Sequence, residues 1–329
     1  MISESESHAI KYIRVGAMIA IVLCHFLQAY ESQWAFVFNI GVQVFLALSG
    51  YLYGKKIIAN WRSWSIGRVK RVYIPMLLFI IAVLPLYLIF HREIFSWEAY
   101  ALNIVNMQGL PFAMGGGMLL GIRHLWFVTA IMFAYLTTPF LQNVRNHAEW
   151  LFPLLVGCFG VSFFIVPGPL VFFISWFALY AICYLYVQLR RTRIYDYGLV
   201  LLELALIILV ILHTNVLTNY FHPLNRLFHD VSGVFIVLLG IRIISKMNLK
   251  YVPAIVNSLD RYSFQIFIVH YFLIIGPFSL AHLTESLFLN VLISVISIFV
   301  STIIFSFICT KVNYLLFEKK YENQFDRTV

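Results

Sequence analysis

Apolar runs of roughly 17 to 25 residues, separated by short polar stretches, recur from one end of the chain to the other. A helical run of that length crosses the ~30 Å hydrocarbon core of a bilayer. The pattern predicts ten such helices, at 10–30, 34–54, 72–90, 124–142, 151–167, 169–188, 198–213, 228–245, 262–281 and 286–310. The expected fold class is all-α: a polytopic integral membrane protein of about ten transmembrane helices. Pro167-Gly168-Pro169 nearly fuses the fifth and sixth segments and predicts a tight hairpin. No internal repeat, low-complexity stretch or appended soluble domain is legible, so residues 1–329 are expected to form one domain. The opening MISESESHAIKY is polar rather than basic and then apolar, which argues against a cleavable signal peptide.

Two polar positions interrupt the first segment. Arg14 and His25 lie eleven residues apart, three helical turns plus about 20°, so they share one helix face about 16 Å apart. An arginine at a helix centre costs about 2.5–3.5 kcal/mol on insertion scales, and snorkelling relieves part of that near an end. A cation and a titratable base on one face imply a polar seam entering the bilayer.

Charge fixes the expected orientation. With the amino terminus inside, 19 of the 23 Lys and Arg fall on inner segments. Only Arg92, Arg123 and Arg226 fall outside, and Arg14 lies within a span. By the positive-inside rule both termini are expected in the cytoplasm. Arg14 is then near the inner face and His25 towards the outer one. The net charge of +9 is accounted for by inner loops, with no need of nucleic acid. Hydrophobic residues at 62% and charged residues at 11% exclude an ordinary soluble domain, which carries about 25% charge. Cys24, Cys158, Cys183 and Cys309 all sit in apolar segments and read as small core residues; no disulfide scaffold or metal site is expected.

Several short patterns carry candidate chemistry. The loop Lys55 to Arg71, KKIIANWRSWSIGRVKR, holds six cations and no acid, and enters the third span at Pro75. It reads either as an anchor on anionic lipid heads or as a phosphate clamp. Arg68 and Arg71, three apart, would be neighbours on a helix and suited to a phosphorylated ligand. Gly41, Ser49 and Gly50 in the second span allow close helix packing or the passage of a ligand chain. Arg123-His124-Leu125-Trp126 opens the fourth span on the outer side, Trp126 as an interfacial residue and His124 as a polar cap or substrate contact. His270 lies within SFQIFIVHYFLI, and Glu203 within the seventh span, where it needs a partner or a proton. GLPFAMGGGMLLG lacks the Lys-Ser/Thr of a P-loop and reads as an outer re-entrant or lid segment.

In order, these patterns resemble the acyltransferase-3 family of integral membrane O-acyltransferases, of the polysaccharide O-acetyltransferase type. Arg14 and His25 match its Arg-x10-His signature. Gly41, Val42, Phe45, Ser49 and Gly50 resemble its Gly-Val-x-x-Phe-Phe-x-x-Ser-Gly segment, with Leu46 at the second Phe. Arg68-Val-Lys-Arg71 with Pro75 resembles Arg-x-x-Arg-x-x-x-Pro, His124-Leu-Trp126-Phe resembles His-Leu-Trp-Phe/Tyr, and Ser263-Phe with Ile268-Val-His270 resembles Ser-Phe…Leu-Ile-His. Around Arg14 the usual Leu-Arg-x-Leu-Ala is Ile-Arg-Val-Gly-Ala, a change of size at apolar positions.

The resemblance implies a single transmembrane acyltransferase domain in a bacterial plasma (inner) membrane. It implies transfer of an acyl group, commonly acetyl, from cytoplasmic acyl-CoA to a hydroxyl of a cell-envelope polysaccharide or lipid-linked glycan. His25 would be the general base. Arg14, Arg68, Arg71 and Ser49 would bind the donor, and His124, Trp126 and His270 would stand on the acceptor side or support it. Acetyl-CoA or another acyl-CoA is expected as co-substrate, with no tightly bound cofactor and no metal. Expected partners are the glycan or lipid-linked saccharide and membrane lipids, not nucleic acid; self-association is left open. The orienting partner of His25 is not legible; Glu31 points to another face, and Glu93, Glu98 and Asp230 are outer-side candidates. A reading from another class stays open: a transporter with an ion or proton path over Arg14, His25 and Glu203. So does a structural glycan-export partner with a vestigial site.

Overall fold

In lipid every backbone N–H and C=O must be satisfied within the protein, which confines this chain to helices. The computed structural model describes residues 2–113, 117–166, 168–212, 222–247, 249 and 251–318, and no strand occurs among them. The long helices are α1 (Glu4–Ala29), α3 (Gly41–Gly54), α5 (Ile74–Phe90), α8 (Trp126–Val144), α9 (Ala148–Ile165), α10 (Gly168–Tyr186), α11 (Arg193–Leu212), α12 (Pro223–Lys246), α13 (Ala254–Ile274) and α14 (Leu287–Asn313). Short helices α2 (Ala35–Phe38), α4 (Trp61–Arg68), α6 (Trp97–Ile104) and α7 (Gly109–Ala113) join them. Seven stretches among the described residues are long and apolar enough to cross a membrane, one of which, Arg123–Ile165, contains both α8 and α9. The chain is a polytopic all-α membrane protein. Pro167 and Met114–Gly116, in the hairpin and lid patterns, lie outside the described residues, as do Lys250, Lys319, Lys320 and Arg327.

α1, α11 and α12 begin five or six residues before the predicted segments, and three further departures from the hydropathy pattern have a physical reason. The second predicted span, 34–54, is two helices, α2 and α3, separated at Asn39 and Ile40. The third begins in a π-turn, Val69–Tyr73, between α4 and α5. Pro75 has no N–H to give the carbonyl one turn back, and the widened turn just before it absorbs the missing bond. The ninth, predicted at 262–281, is α13 at 254–274. Its first turns are polar, so a hydropathy window passes over them. They are helical because their polar groups find partners on α1: Lys11 Nζ donates to Asn257 Oδ1 at 2.8 Å and Arg14 Nη1 to Asp260 Oδ1 at 2.7 Å.

α1 is the centre of the bundle, packed against α3, α12 and α13. Its start is capped by Ser3, which accepts from Glu6 N–H, with Glu4 and Glu6 in the first turn where the helix dipole favours acids. α3 is clamped between α1 and α10 by glycines. A Cβ at Gly41 would stand 2.4 Å from the Ala17 carbonyl oxygen, and one at Gly50 would stand 2.0 Å from that of Tyr180. These two small residues serve helix approach. Gly121 (φ +81) and Gly276 (φ +109) meet back to back, a Cβ on Gly276 falling 2.6 Å from the Gly121 Cα. That contact seats the chain entering α8 against the end of α13.

Candidate active site

Three helices run the length of the site, each supplying one residue to each of two polar stations, and α3 and α4 add Ser49, Tyr53, Trp64 and Arg68 to the first. α1 carries Arg14 and His25, α13 carries Asp260 and His270, and α8 with its preceding 3-10 turn carries Tyr135 and His124. Within each helix the two residues are ten or eleven positions apart. At 1.5 Å per residue the stations are separated by about 15–16 Å. Arg14 meets Asp260 and His25 meets His270, so α1 and α13 run parallel. Tyr135 and His124 run the other way, so α8 is antiparallel to both.

The first station is cationic. The Arg14–Asp260 pair is largely shielded, with side chains 29% and 14% exposed. The Arg68 guanidinium sits among three aromatic rings, 5.5 Å from Tyr53, 5.9 Å from Trp64 and 5.9 Å from Tyr135, in cation–π range. Ser49, Arg68 and Arg14 act on the Tyr135 hydroxyl electrostatically. Arg68 and Arg71 both act on Tyr53, although Arg71 is itself exposed. The four residues expected on the donor side are thus gathered around two buried tyrosines. Arg68 Nε is buried and makes no hydrogen bond.

The second station is a group of three imidazoles. His25 lies 5.2 Å from His270 and 4.6 Å, edge-on, from Tyr271, centroid to centroid. His124 lies 5.4 Å from His270 and stacks on Tyr271 at 4.8 Å. The hydrogen bonds assign the tautomers. His124 Nε2–H donates to the Ile268 carbonyl at 2.9 Å, and His270 Nδ1–H to the carbonyls of Phe267 and Ile266 at 2.8 and 3.1 Å. The remaining nitrogens, His124 Nδ1 and His270 Nε2, are buried without a hydrogen bond. His25 Nδ1 pairs with Gln28 Oε1 at 2.8 Å. An amide oxygen can only accept, so Nδ1 carries the proton and Nε2 keeps its lone pair. Among the described residues no group of three or more His, Cys, Asp or Glu is arranged to hold a metal ion.

Other expected residues lie elsewhere. The Trp126 ring stacks on Trp176 of α10, 5.0 Å away and 20° from parallel. Glu203, on α11, accepts from the Ser232 hydroxyl of α12 at 2.5 Å, and its Oε2 is buried without a hydrogen bond. Asp230 is fully buried on α12, where Arg226, Ser175 and Gln43 act on it. Glu93 pairs with His91 at 3.3 Å.

The geometry describes a membrane-embedded seam with an ionic end and a basic end. The chain belongs to the acyltransferase-3 family, whose acyltransferase-domain model matches residues 7–311, nearly the whole sequence. It is an acyltransferase of the membrane. No curated protein and no solved structure matches the chain.

Proposed function

We propose that this protein moves an acyl group, acetyl by preference, from cytoplasmic acyl-CoA to a hydroxyl of a cell-envelope polysaccharide or its lipid-linked precursor. The observation that carries the reading is the seam itself: three helices, each with one residue at a cationic station and one in an imidazole group about 15–16 Å away.

Phosphates of the donor dock at the cationic end, on Arg14, Arg68 and Arg71, with Ser49 beside them. Guanidinium groups bind phosphate through paired charge-assisted hydrogen bonds. An extended thioester arm reaches along the seam to His25. There His25 Nε2 takes the proton of the acceptor hydroxyl as its oxygen attacks the thioester carbonyl. The new C–O bond forms, the C–S bond breaks, and the departing thiolate receives the proton from His25. Positioned proton transfer of this kind contributes about 10²–10⁴-fold. His124 and His270 offer lone pairs to further hydroxyls of a saccharide held beside His25. The protein sits in a bacterial plasma membrane with both termini inside.

Mass spectrometry of envelope glycans from cells with and without the gene tests the reading. A gain of about 42 Da per modified sugar, the mass acetylation adds, is expected only with the gene. Indistinguishable glycans, together with no acyl transfer by the purified protein, would refute it.

A further inference from the structure

Histidine bases in acyl transfer are commonly oriented by a carboxylate, which also stabilises the imidazolium that forms. Among the described residues no carboxylate contacts the His25 ring. We propose that Gln28 is the positioning residue of His25, a neutral amide that fixes the tautomer and the ring without supplying charge. This rests on His25 being the base, as above.

The geometry is local to one face of α1. Gln28 is three residues after His25 and four after Cys24, so the three side chains share a face. Gln28 Oε1 accepts from His25 Nδ1–H at 2.8 Å, while its Nε2 donates to Cys24 Sγ at 3.4 Å. The amide is held at both ends, which keeps its oxygen on the imidazole. α13 bears on the ring from the other side, with Tyr271 edge-on at 4.6 Å. Ring rotation would break the Gln28 bond and turn the lone pair away from the site.

The groups facing His25 are His270 and Tyr271 from α13 and His124 from the turn before α8; Arg123 acts on Tyr271, and Cys24 is on the same helix. None of them carries a negative charge at neutral pH, so no carboxylate there supports the imidazolium. A carboxylate at position 28 would change exactly that property: an opposite charge within hydrogen-bonding range typically raises a histidine's affinity for protons by one to three pH units.

The test compares Gln28→Ala, Gln28→Glu and His25→Ala in purified protein, reading kcat, acyl-CoA affinity and the pH profile. Gln28 is exposed, so its replacement leaves the core untouched. Gln28→Ala should lower kcat by about ten- to a hundredfold, within the range of a lost orienting contact, with acyl-CoA affinity unchanged. Gln28→Glu should recover most of kcat at high pH and move the acid limb of the profile upward by about a unit or more. If Gln28→Ala keeps wild-type kcat, or Gln28→Glu leaves the acid limb in place, while His25→Ala is inactive, the positioning role is wrong and the general-base reading stands. If His25→Ala is itself active, the general-base reading fails first.

Discussion

At the Arg14 end of the seam, cations have company: Asp260 holds Arg14, and Tyr53, Trp64 and Tyr135 surround Arg68. At the His25 end, proton acceptors outnumber donors, with His124 Nδ1 and His270 Nε2 buried and unbonded beside the His25 lone pair. The two ends leave opposite things unsatisfied. The first has positive charge and N–H groups to spare and suits an anion that must be held still. The second has lone pairs to spare and suits a neutral group that brings its own O–H protons. Binding energy and chemistry are thus expected at different ends of the same seam, and mutations should separate them.

The comparison breaks most completely if the two ends are on the wrong sides. Lys56 and Gln33 are both exposed, at opposite ends of the α2–α3 segment. In a background with exposed Cys158 replaced, Lys56→Cys should react with an impermeant thiol reagent only after cells are opened, and Gln33→Cys in intact cells. Labelling of position 56 from outside would reverse the route of transfer. A smaller effect, though still large, is expected at the basic end: His25→Ala should reduce transfer by about 10²-fold or more. Near-normal glycan acylation by that variant would remove His25 from the chemistry.

At the cationic end, Tyr135→Phe keeps the ring over Arg68 but removes the hydroxyl on which Ser49, Arg68 and Arg14 act. A lost polar contact of about 0.5–1.5 kcal/mol would lower CoA affinity roughly two- to twelvefold, with transfer at saturating donor unchanged. A kcat loss without an affinity loss would place Tyr135 in the chemistry instead. Asp260→Asn is the mildest change. Asparagine keeps an oxygen to accept from Arg14 and removes only the charge, a change of about 1 kcal/mol or less, so CoA affinity should move by no more than about fivefold. A much larger change would make Asp260 part of the donor site rather than a support for Arg14.

Hydropathy placed a helix in each of the ten predicted segments, because runs of that length and apolarity have few alternatives in lipid. It misplaced α13, since Asn257 and Asp260 are polar residues that become helical only through Lys11 and Arg14 on another helix. It joined α2 to α3 because the break at Asn39 barely lowers the mean hydropathy. Arg14 and His25 stood out as isolated polar groups. Of their counterparts, His124 and His270 stood out too, but Asp260 and Tyr135 did not, although the spacing was present: Asp260 precedes His270 by ten residues and Tyr135 follows His124 by eleven. Gln28 lies three residues from His25, but an amide carries no charge to mark it as an orienting partner. Tyrosines are abundant here, 19 in all, so nothing in the sequence marked Tyr53 and Tyr135 as the two beside Arg68.

The separation of binding from chemistry is tested most directly by titration calorimetry of CoA into wild-type protein, Arg68→Ala and His25→Ala. The account predicts that Arg68→Ala weakens CoA binding roughly ten- to a hundredfold, the worth of a charge-assisted contact, while His25→Ala binds CoA as the wild type does. Equal affinity in all three proteins, or a loss confined to His25→Ala, would contradict it.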